Sequence, residues 1–170
     1  MKKATYVIGA VLLLALVSAP AAFAADAGDR VGYVSLQRIM KETKVGQEAA
    51  KLLFDADKAK AESLKPLAES VVRLKKEAED AKSPMDARKK AADEYAQAKK
   101  DYDRALQDAR EELKAKDQAL AGDVYKKADD VVKKVAQKRN YSIVIKDPTV
   151  MGFLDPRVDI TEEVIKEMNK

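Results

Sequence analysis

Two runs of apolar residues at helical spacing dominate the middle of the chain. In the first run, apolar positions step by three and four residues, as in the seam of a coiled coil: Leu64, Leu67, Val71, Leu74, Ala78 and Ala81. The second run makes the same steps, at Tyr95, Ala98, Tyr102, Ala105 and Ala109. Leucines at seven-residue intervals follow, at Leu106, Leu113 and Leu120, and the stripe ends with Val124, Ala128, Val131 and Val135. The pattern predicts two long helices that pack along each other.

The segment Ser83-Pro84-Met85-Asp86 separates the two runs. It predicts a helix start with Ser83 as the N-cap and Pro84 at the first helical position. Because proline cannot continue an incoming helix, the sequence predicts an antiparallel hairpin that rises from about Val45 to Lys82 and descends to about Arg139. Pro66 lies inside the rising helix, where it indicates either a tolerated kink or a bend that lets the arm flex.

The ends of the chain have a different pattern. Short runs rich in β-branched and aromatic residues predict strands at 31–34 and 141–145, and a third strand at 150–154. Residues 36–40 predict a helical turn after the first strand. A final amphipathic helix contains Val164, Ile165 and Met168, with Asp159 or Thr161 as its cap. We therefore expect a mostly α protein with a small β body.

The N-terminus has the pattern of a secretory signal peptide. Lys2 and Lys3 precede an apolar run over 7–17, and Ala22-Phe23-Ala24 supplies the small residues that signal peptidase requires. We predict cleavage after Ala24, and an apolar run this short is below the roughly 20 residues of a membrane span. The predicted organisation is a signal peptide at 1–24, a β-containing oligomerisation body at 25–44 and 140–170, and a helical arm at 45–139.

The size of the predicted body favours oligomerisation. Outside the arm, the mature chain keeps about 50 residues in two pieces, which is marginal for an independent core, and its strands would have bare edges. The residues predicted to mediate assembly are Val31, Tyr33, Val34, Ile143, Val144 and Ile145.

Composition argues against catalysis. The chain has no His, Cys or Trp, so the commonest general base and the soft metal ligands are absent. The 29 acidic residues alternate with 33 Lys and Arg at helical spacing, which is typical of a solvated face. The formal charge of +4 falls to +2 when the signal peptide with its two lysines is removed, and it does not indicate a nucleic-acid partner. No metal, cofactor or catalytic residue is predicted.

The order and spacing of these segments resemble a known family, the Skp/OmpH-type periplasmic chaperones. The resemblance rests on Val31-Gly32-Tyr33-Val34-Ser35-Leu36 with Ile39 and Met40, on the charged hairpin, on the segment 141–147, and on Asp159-Ile160-Thr161 at the start of the last helix. It implies a jellyfish-like homotrimer in which three helical arms on a β body enclose a cavity. It also implies a holdase that binds unfolded outer-membrane β-barrel proteins in the periplasm without ATP, before they insert into the membrane.

Two other functions compete with this one. A structural coiled-coil scaffold or tether of the cell envelope explains the heptads and the export signal, but not the strands at both ends. A carboxylate-dependent glycan hydrolase would need a compact pocket, which a long hairpin does not supply.

Several residues are candidates for contacting unfolded clients. One helix seam cannot bury all of 52–54, and within this apolar triplet we expect Phe54 to be exposed. Met85 lies at the arm tip, where little can cover it. Tyr95 and Tyr102 are further candidates, although their spacing is more typical of seam residues.

The arm tip is basic. Its exposed cations either form a solvated face or contact acidic clients, anionic lipid or lipopolysaccharide. These candidates are Lys75, Lys76, Lys82, Arg88, Lys89 and Lys90.

Overall fold

The computed structural model describes residues 30–146 and 152–170. Its elements in chain order are β1 (Arg30–Tyr33), α1 (Leu36–Glu42), α2 (Lys44–Glu79), α3 (Met85–Arg139), β2 (Tyr141–Ile145), a 3₁₀ turn (Pro156–Val158) and α4 (Thr161–Met168). The signal peptide predicted at 1–24 lies outside the described residues. In the described part of the chain, no helix combines the length and apolar character that a membrane span requires.

Helices α2 and α3 form the predicted hairpin. They contain 36 and 55 residues, which correspond to lengths of about 54 Å and 82 Å. Pro66 lies within α2, and the helix continues through it. Leu74, Ala91 and Ala109 are buried in the contact between the two helices, whereas Ala81 is exposed because α2 ends before it. The hairpin is confirmed, but α2 ends at Glu79 rather than at Lys82.

The turn at the tip differs in detail from the prediction. Helix α3 begins at Met85 with Pro84 in the cap position, where no side chain caps the helix. The Ser83 hydroxyl instead donates to Asp80 Oδ2 at 2.9 Å, and Asp80 Oδ1 accepts from the Lys82 backbone N–H at 3.0 Å. Predicting Ser83 as the N-cap was therefore wrong, because its hydroxyl closes the turn.

Strands β1 and β2 form a parallel pair. Val31 faces Ile143 across the ladder and Tyr33 faces Ile145, with an irregularity next to Arg30. The other side of β1 makes a bridge at Tyr33 with Asp159, where Ile160 N donates to Tyr33 O at 2.9 Å. Of the predicted third strand, residues 152–154 are not in a strand, and the rest lies outside the described residues.

The hydrophobic core lies where the hairpin meets the chain ends. It contains Val34, Ile39, Ala49, Val124, Ala128, Val132, Val135, Ile160, Val164 and Ile165. Five of these ten residues come from the segment 45–139, which the sequence assigned to the arm. The base of the hairpin is thus part of the core, and the predicted boundary between body and arm does not coincide with the packing. With the base of the hairpin included, one chain has a larger core than its two end segments alone could form.

Hydrogen bonds join the two ends of the chain beside this core. The buried Thr161 hydroxyl accepts from the Ser35 backbone N–H at 2.8 Å, and Ser35 Oγ in turn accepts from Arg38 N at the start of α1. Asp159 Oδ1 accepts from Thr161 N at 2.8 Å. Helix α4 has Ile160 at its N-cap position and no side-chain capping bond, so the prediction of Asp159 or Thr161 as the cap was wrong. Thr161 is instead the first residue of α4, and its hydroxyl holds the opposite end of the chain.

The junction between α1 and α2 is unusually tight. The fully buried Thr43 hydroxyl donates to Ile39 O at 2.8 Å and accepts from Gly46 N at 3.1 Å. A Cβ atom added to Gly46 would lie 2.1 Å from the Met40 carbonyl oxygen. Only glycine therefore fits at position 46 with the backbone in this arrangement.

Candidate functional site

In the part of the chain that the structure describes, the acidic side chains that converge surround a cation, because Glu42, Asp159 and Glu162 all pair with Arg38. Within this part of the chain, no three Asp or Glu side chains are placed to hold a metal ion. Its four carboxyl groups with a lowered pKa belong to exposed local contacts. The hydrogen bond from Arg38 lowers the pKa of Glu42, and the Lys82 backbone N–H, with the Ser83 hydroxyl, lowers the pKa of Asp80. Hydrogen bonds from Arg157 and Lys170 lower the pKa of Asp155 and Glu167 in the same way. These pKa shifts have local structural causes and do not mark a catalytic site. The candidate functional surface is the arm, because the predicted basic and client-contacting residues lie on it.

The six cations that the sequence places at the basic tip are all exposed in the structure. Arg88 Nε points back across the turn and donates to Ala78 O at 3.4 Å, and Lys90 Nζ lies 3.8 Å from Glu94. Arg88 thus helps to close the end of α2. Among the described residues, the other four tip lysines have no ion-pair partner, so their charges face solvent.

The four residues predicted to contact clients fall into two groups. Met85 and Phe54 are exposed, at 83% and 67% of their surface. Tyr95 and Tyr102 are half-buried along α3. The tyrosines therefore have less free surface than Met85 and Phe54, which agrees with their seam spacing. Client contact by any of the four stays a prediction.

An apolar groove lies between α2 and α3 just above the core, and we call it the lower groove. It has a volume of about 570 Å³ and is lined by Ala50, Leu53, Phe54 and Leu113, together with Asp57, Lys114 and Asp117. Near it, the side chains of Lys60 and Glu112 form an ion pair between the helices. Leu53 and Leu113 form the half-buried part of this groove, while Phe54 remains open to solvent.

A second, shallow groove, the upper groove, lies nearer the tip on α2 alone and is open to solvent. It has a volume of about 490 Å³ and is lined by Ala68, Glu69, Val72, Arg73, Lys76 and Glu77. Arg73 Nη1 pairs with Glu77 Oε1 at 3.0 Å, and Val72 is 54% exposed. Val72 was not among the residues predicted from the sequence, because the predicted seam contains its neighbour Val71. The signal was available, since a valine next to a seam position must lie on another face of the helix.

The residues predicted to mediate oligomerisation are distributed over two environments. Val31 and Ile143 are exposed side by side on the strand pair. Tyr33 and Val34 are buried, and Val34 is fully enclosed by the chain's own core. Val144 and Ile145 are half-buried. The Val34 side chain has no free surface for a second subunit, so among these candidates Val31 and Ile143 best fit an intersubunit contact.

Comparisons with known proteins agree with this architecture. A family model described as outer membrane protein (OmpH-like) matches residues 30–168. A crystal structure of a Caulobacter crescentus CB15 protein, described as an OmpH-like outer membrane chaperone, is similar with a TM-score of 0.69 at 20% sequence identity. The match covers 83% of this chain and 84% of that chain. Comparison with curated protein sequences found no match. The structural likeness concerns the fold, and the family match extends over strands, hairpin and final helix.

Proposed function

Because this chain belongs to the OmpH-like outer membrane protein family, we propose that it is an ATP-independent holdase chaperone and not an enzyme. Its clients are unfolded outer-membrane β-barrel proteins, which it binds in the periplasm and keeps from aggregating before they insert into the membrane. The protein acts as a homotrimer in which the strand pairs contribute to a shared body and the three arms enclose a cavity. The signal peptide delivers it to that compartment.

The observation that carries this proposal is the exposure of large apolar residues along a long, charged arm. Phe54, Val72 and Met85 lie outside the core and are more than half exposed. Unfolded barrel strands alternate apolar and polar residues, so they aggregate readily. Many weak contacts from separate exposed side chains can shield such a chain without fixing it, and they also allow its release.

A direct assay tests the holdase function. An unfolded β-barrel protein is diluted out of denaturant with and without the purified protein, in the absence of ATP, and light scattering is followed. We expect scattering to fall to about the level of a soluble control protein once the chaperone is in excess. A structural coiled-coil scaffold of the envelope would leave scattering unchanged, and that result would contradict the proposal.

We expect the basic tip to speed the capture of clients. Replacing Lys75, Lys76, Lys82, Lys89 and Lys90 with Gln should slow association by about tenfold at low salt, because steering depends on exposed charge. Arg88 is kept because it donates to Ala78 O in the turn. Dissociation should change less, since apolar contacts hold the bound client. Stopped-flow association rates at about 0.05 and 0.5 M salt measure the effect, because these concentrations bracket weak and strong screening.

A variant with the same change in charge at the base of the arm is the control. It carries Gln at five other exposed lysines of α3: Lys126, Lys127, Lys133, Lys134 and Lys138. If both variants lose association rate equally, net charge rather than the tip is responsible. If neither differs from the wild type at either salt concentration, the tip does not steer clients and is a solvated face toward them.

A further inference from the structure

The methionines of the described residues lie in two different environments. Met85 is exposed over 83% of its surface and is the first residue of α3, next to the turn that closes the arm. Met40 and Met168 are half-buried and pack against the hydrophobic core. The other two methionines of the chain, Met1 and Met151, lie outside the described residues. The fold therefore opens one thioether to solvent and shields two.

Methionine is the only sulfur-containing residue of this chain, because the sequence has five Met and no Cys. A thioether reacts with a hydroperoxide by attacking one peroxide oxygen. The O–O bond breaks, the sulfur gains that oxygen and is oxidised to the sulfoxide, and hydrogen peroxide is reduced to water. The product side chain is polar, whereas the thioether is apolar. Because the sulfur must meet the peroxide, the exposed Met85 is the favoured point of reaction.

The tip has hydrogen-bond donors beside Met85. Arg88 and Lys89 follow it by three and four residues in α3, so their side chains are its neighbours on the helix surface. Helical side chains lean toward the N-terminus of the helix, which directs both cations toward residue 85. Arg88 Nε donates to Ala78 O at 3.4 Å, and Lys89 is exposed. A sulfoxide oxygen at position 85 therefore has water and cationic donors around it.

Oxidation of Met40 or Met168 would have a different effect on the fold. Both side chains pack against the hydrophobic core, where a new polar oxygen would lose contact with water. Sulfoxides in such positions disrupt packing. The structure thus shields the two methionines whose oxidation would destabilise it, and it exposes one whose oxidation it tolerates.

We propose that Met85 is an oxidation site through which hydroperoxides weaken the hold of the arm on its client. Conversion of the thioether to the sulfoxide replaces an exposed apolar contact with a polar one, while the core stays intact. The change is reversible, because methionine sulfoxide reductases return the thioether, release the oxygen as water and oxidise two thiols to a disulfide. This inference rests on the proposed holdase function, with Met85 as a client contact, and adds control by oxidant to it.

Peptide mass mapping after treatment with hydrogen peroxide tests the site. The complete purified protein is sampled over time, and the oxidised fraction of each methionine-containing peptide is measured. We expect Met85 to oxidise at least about tenfold faster than Met40 and Met168, because the reaction follows access to the sulfur. In urea, where the chain is unfolded, the three rates should become about equal. Equal rates in the folded protein would overturn the proposal, and so would a preference that persists in urea.

The release of a bound client tests the consequence. After brief treatment that oxidises Met85, an unfolded β-barrel protein should dissociate about fivefold faster, because one apolar side-chain contact is lost. The thermal unfolding midpoint should not change, since the core methionines are still reduced. Methionine sulfoxide reductases for both sulfoxide epimers, with a dithiol, should restore the slow release.

M85L is the matched control, because leucine keeps the apolar character and the approximate volume but cannot be oxidised. Peroxide should leave the release rate of M85L unchanged, although its other methionines remain. M85Q should release the client as fast as the oxidised wild type without any peroxide. Unchanged release from the wild type after complete oxidation of Met85 would overturn the proposal, as would an equal acceleration in M85L.

The aggregation assay separates this inference from the function on which it rests. If the untreated wild-type protein protects the client and oxidation of Met85 does not alter release, the holdase function stands and control by oxidant is wrong. If the untreated protein gives no protection, the proposed function itself has failed, and mass mapping still decides whether Met85 is the reactive site.

Discussion

Gly46→Ala is expected to destabilise the protein by about 3 kcal/mol or more, which is at or beyond the upper end of ordinary overpacking. The new Cβ would lie 2.1 Å from Met40 O and 2.7 Å from the Met40 carbonyl carbon. Both are backbone atoms, so no side-chain rotation relieves the contact. α1 must move away from α2, and the buried hydrogen bonds of Thr43 with Ile39 and Gly46 are then lost. Urea unfolding followed by helix ellipticity measures the change in the free energy of unfolding.

Gly122→Ala provides the matched control. Gly122 lies within α3, and a Cβ atom there would meet no atom within 4 Å. The same substitution should therefore stabilise the protein by about 0.5–1 kcal/mol, through the higher helix propensity of alanine. Equal stabilities for the two variants would show that the α1–α2 junction is not as tight as its geometry indicates.

Removing the upper arm is expected to abolish client protection while the assembly remains. The residues from Asp57 to Leu113, two positions that face each other across the lower groove, are replaced by a short turn. Every core residue is retained, including Ala49 and Val124. The shortened protein should still sediment as a trimer, because its strands and core are intact. Light scattering of an unfolded β-barrel protein should rise to the level observed without chaperone, because the cavity is gone.

The Gly122→Ala protein is the control here as well, since it keeps complete arms and should protect like the wild type. Two results would contradict the proposal in different ways. A shortened protein that sediments as a monomer would show that the arms, rather than the body, maintain the assembly. A shortened protein that still protects the client would show that the body holds it.

The hairpin could be predicted from the sequence because its signal is local. Seam positions repeat every three or four residues, and Pro84 marks the break regardless of the rest of the fold. The core could not be assigned in the same way. Val124, Ala128, Val132 and Val135 continue the arm's stripe without interruption, and they belong to the core only because α1 and α4 pack against them. Helices that are so distant in sequence cannot be identified as packing partners from the local pattern of apolar residues.

The candidate site shows the same limit. The exposure of Phe54 and Met85 followed from local geometry, namely an apolar triplet too wide for one seam and a turn with little to cover it. The lower groove depends on Leu113 lying opposite Phe54, and that pairing is set by where the hairpin turns and how its helices are aligned. The turn itself depends on single hydrogen bonds. The Ser83 hydroxyl, for example, donates to Asp80 instead of capping α3.

The hydrogen bond between Ser35 and Thr161 spans 126 residues of sequence, and this has a consequence for the order of folding. Contacts at such separation form late, because the entropy of closing a long loop must be met first. The hairpin closes through neighbouring turns and can form while the C-terminus is still being synthesised. Core closure must then wait for the last ten residues, which include Thr161, Val164 and Ile165. A chain that ends before Thr161 would therefore keep its arm but could not complete its base. The start of α4 would then act as a check that only chains containing it pass.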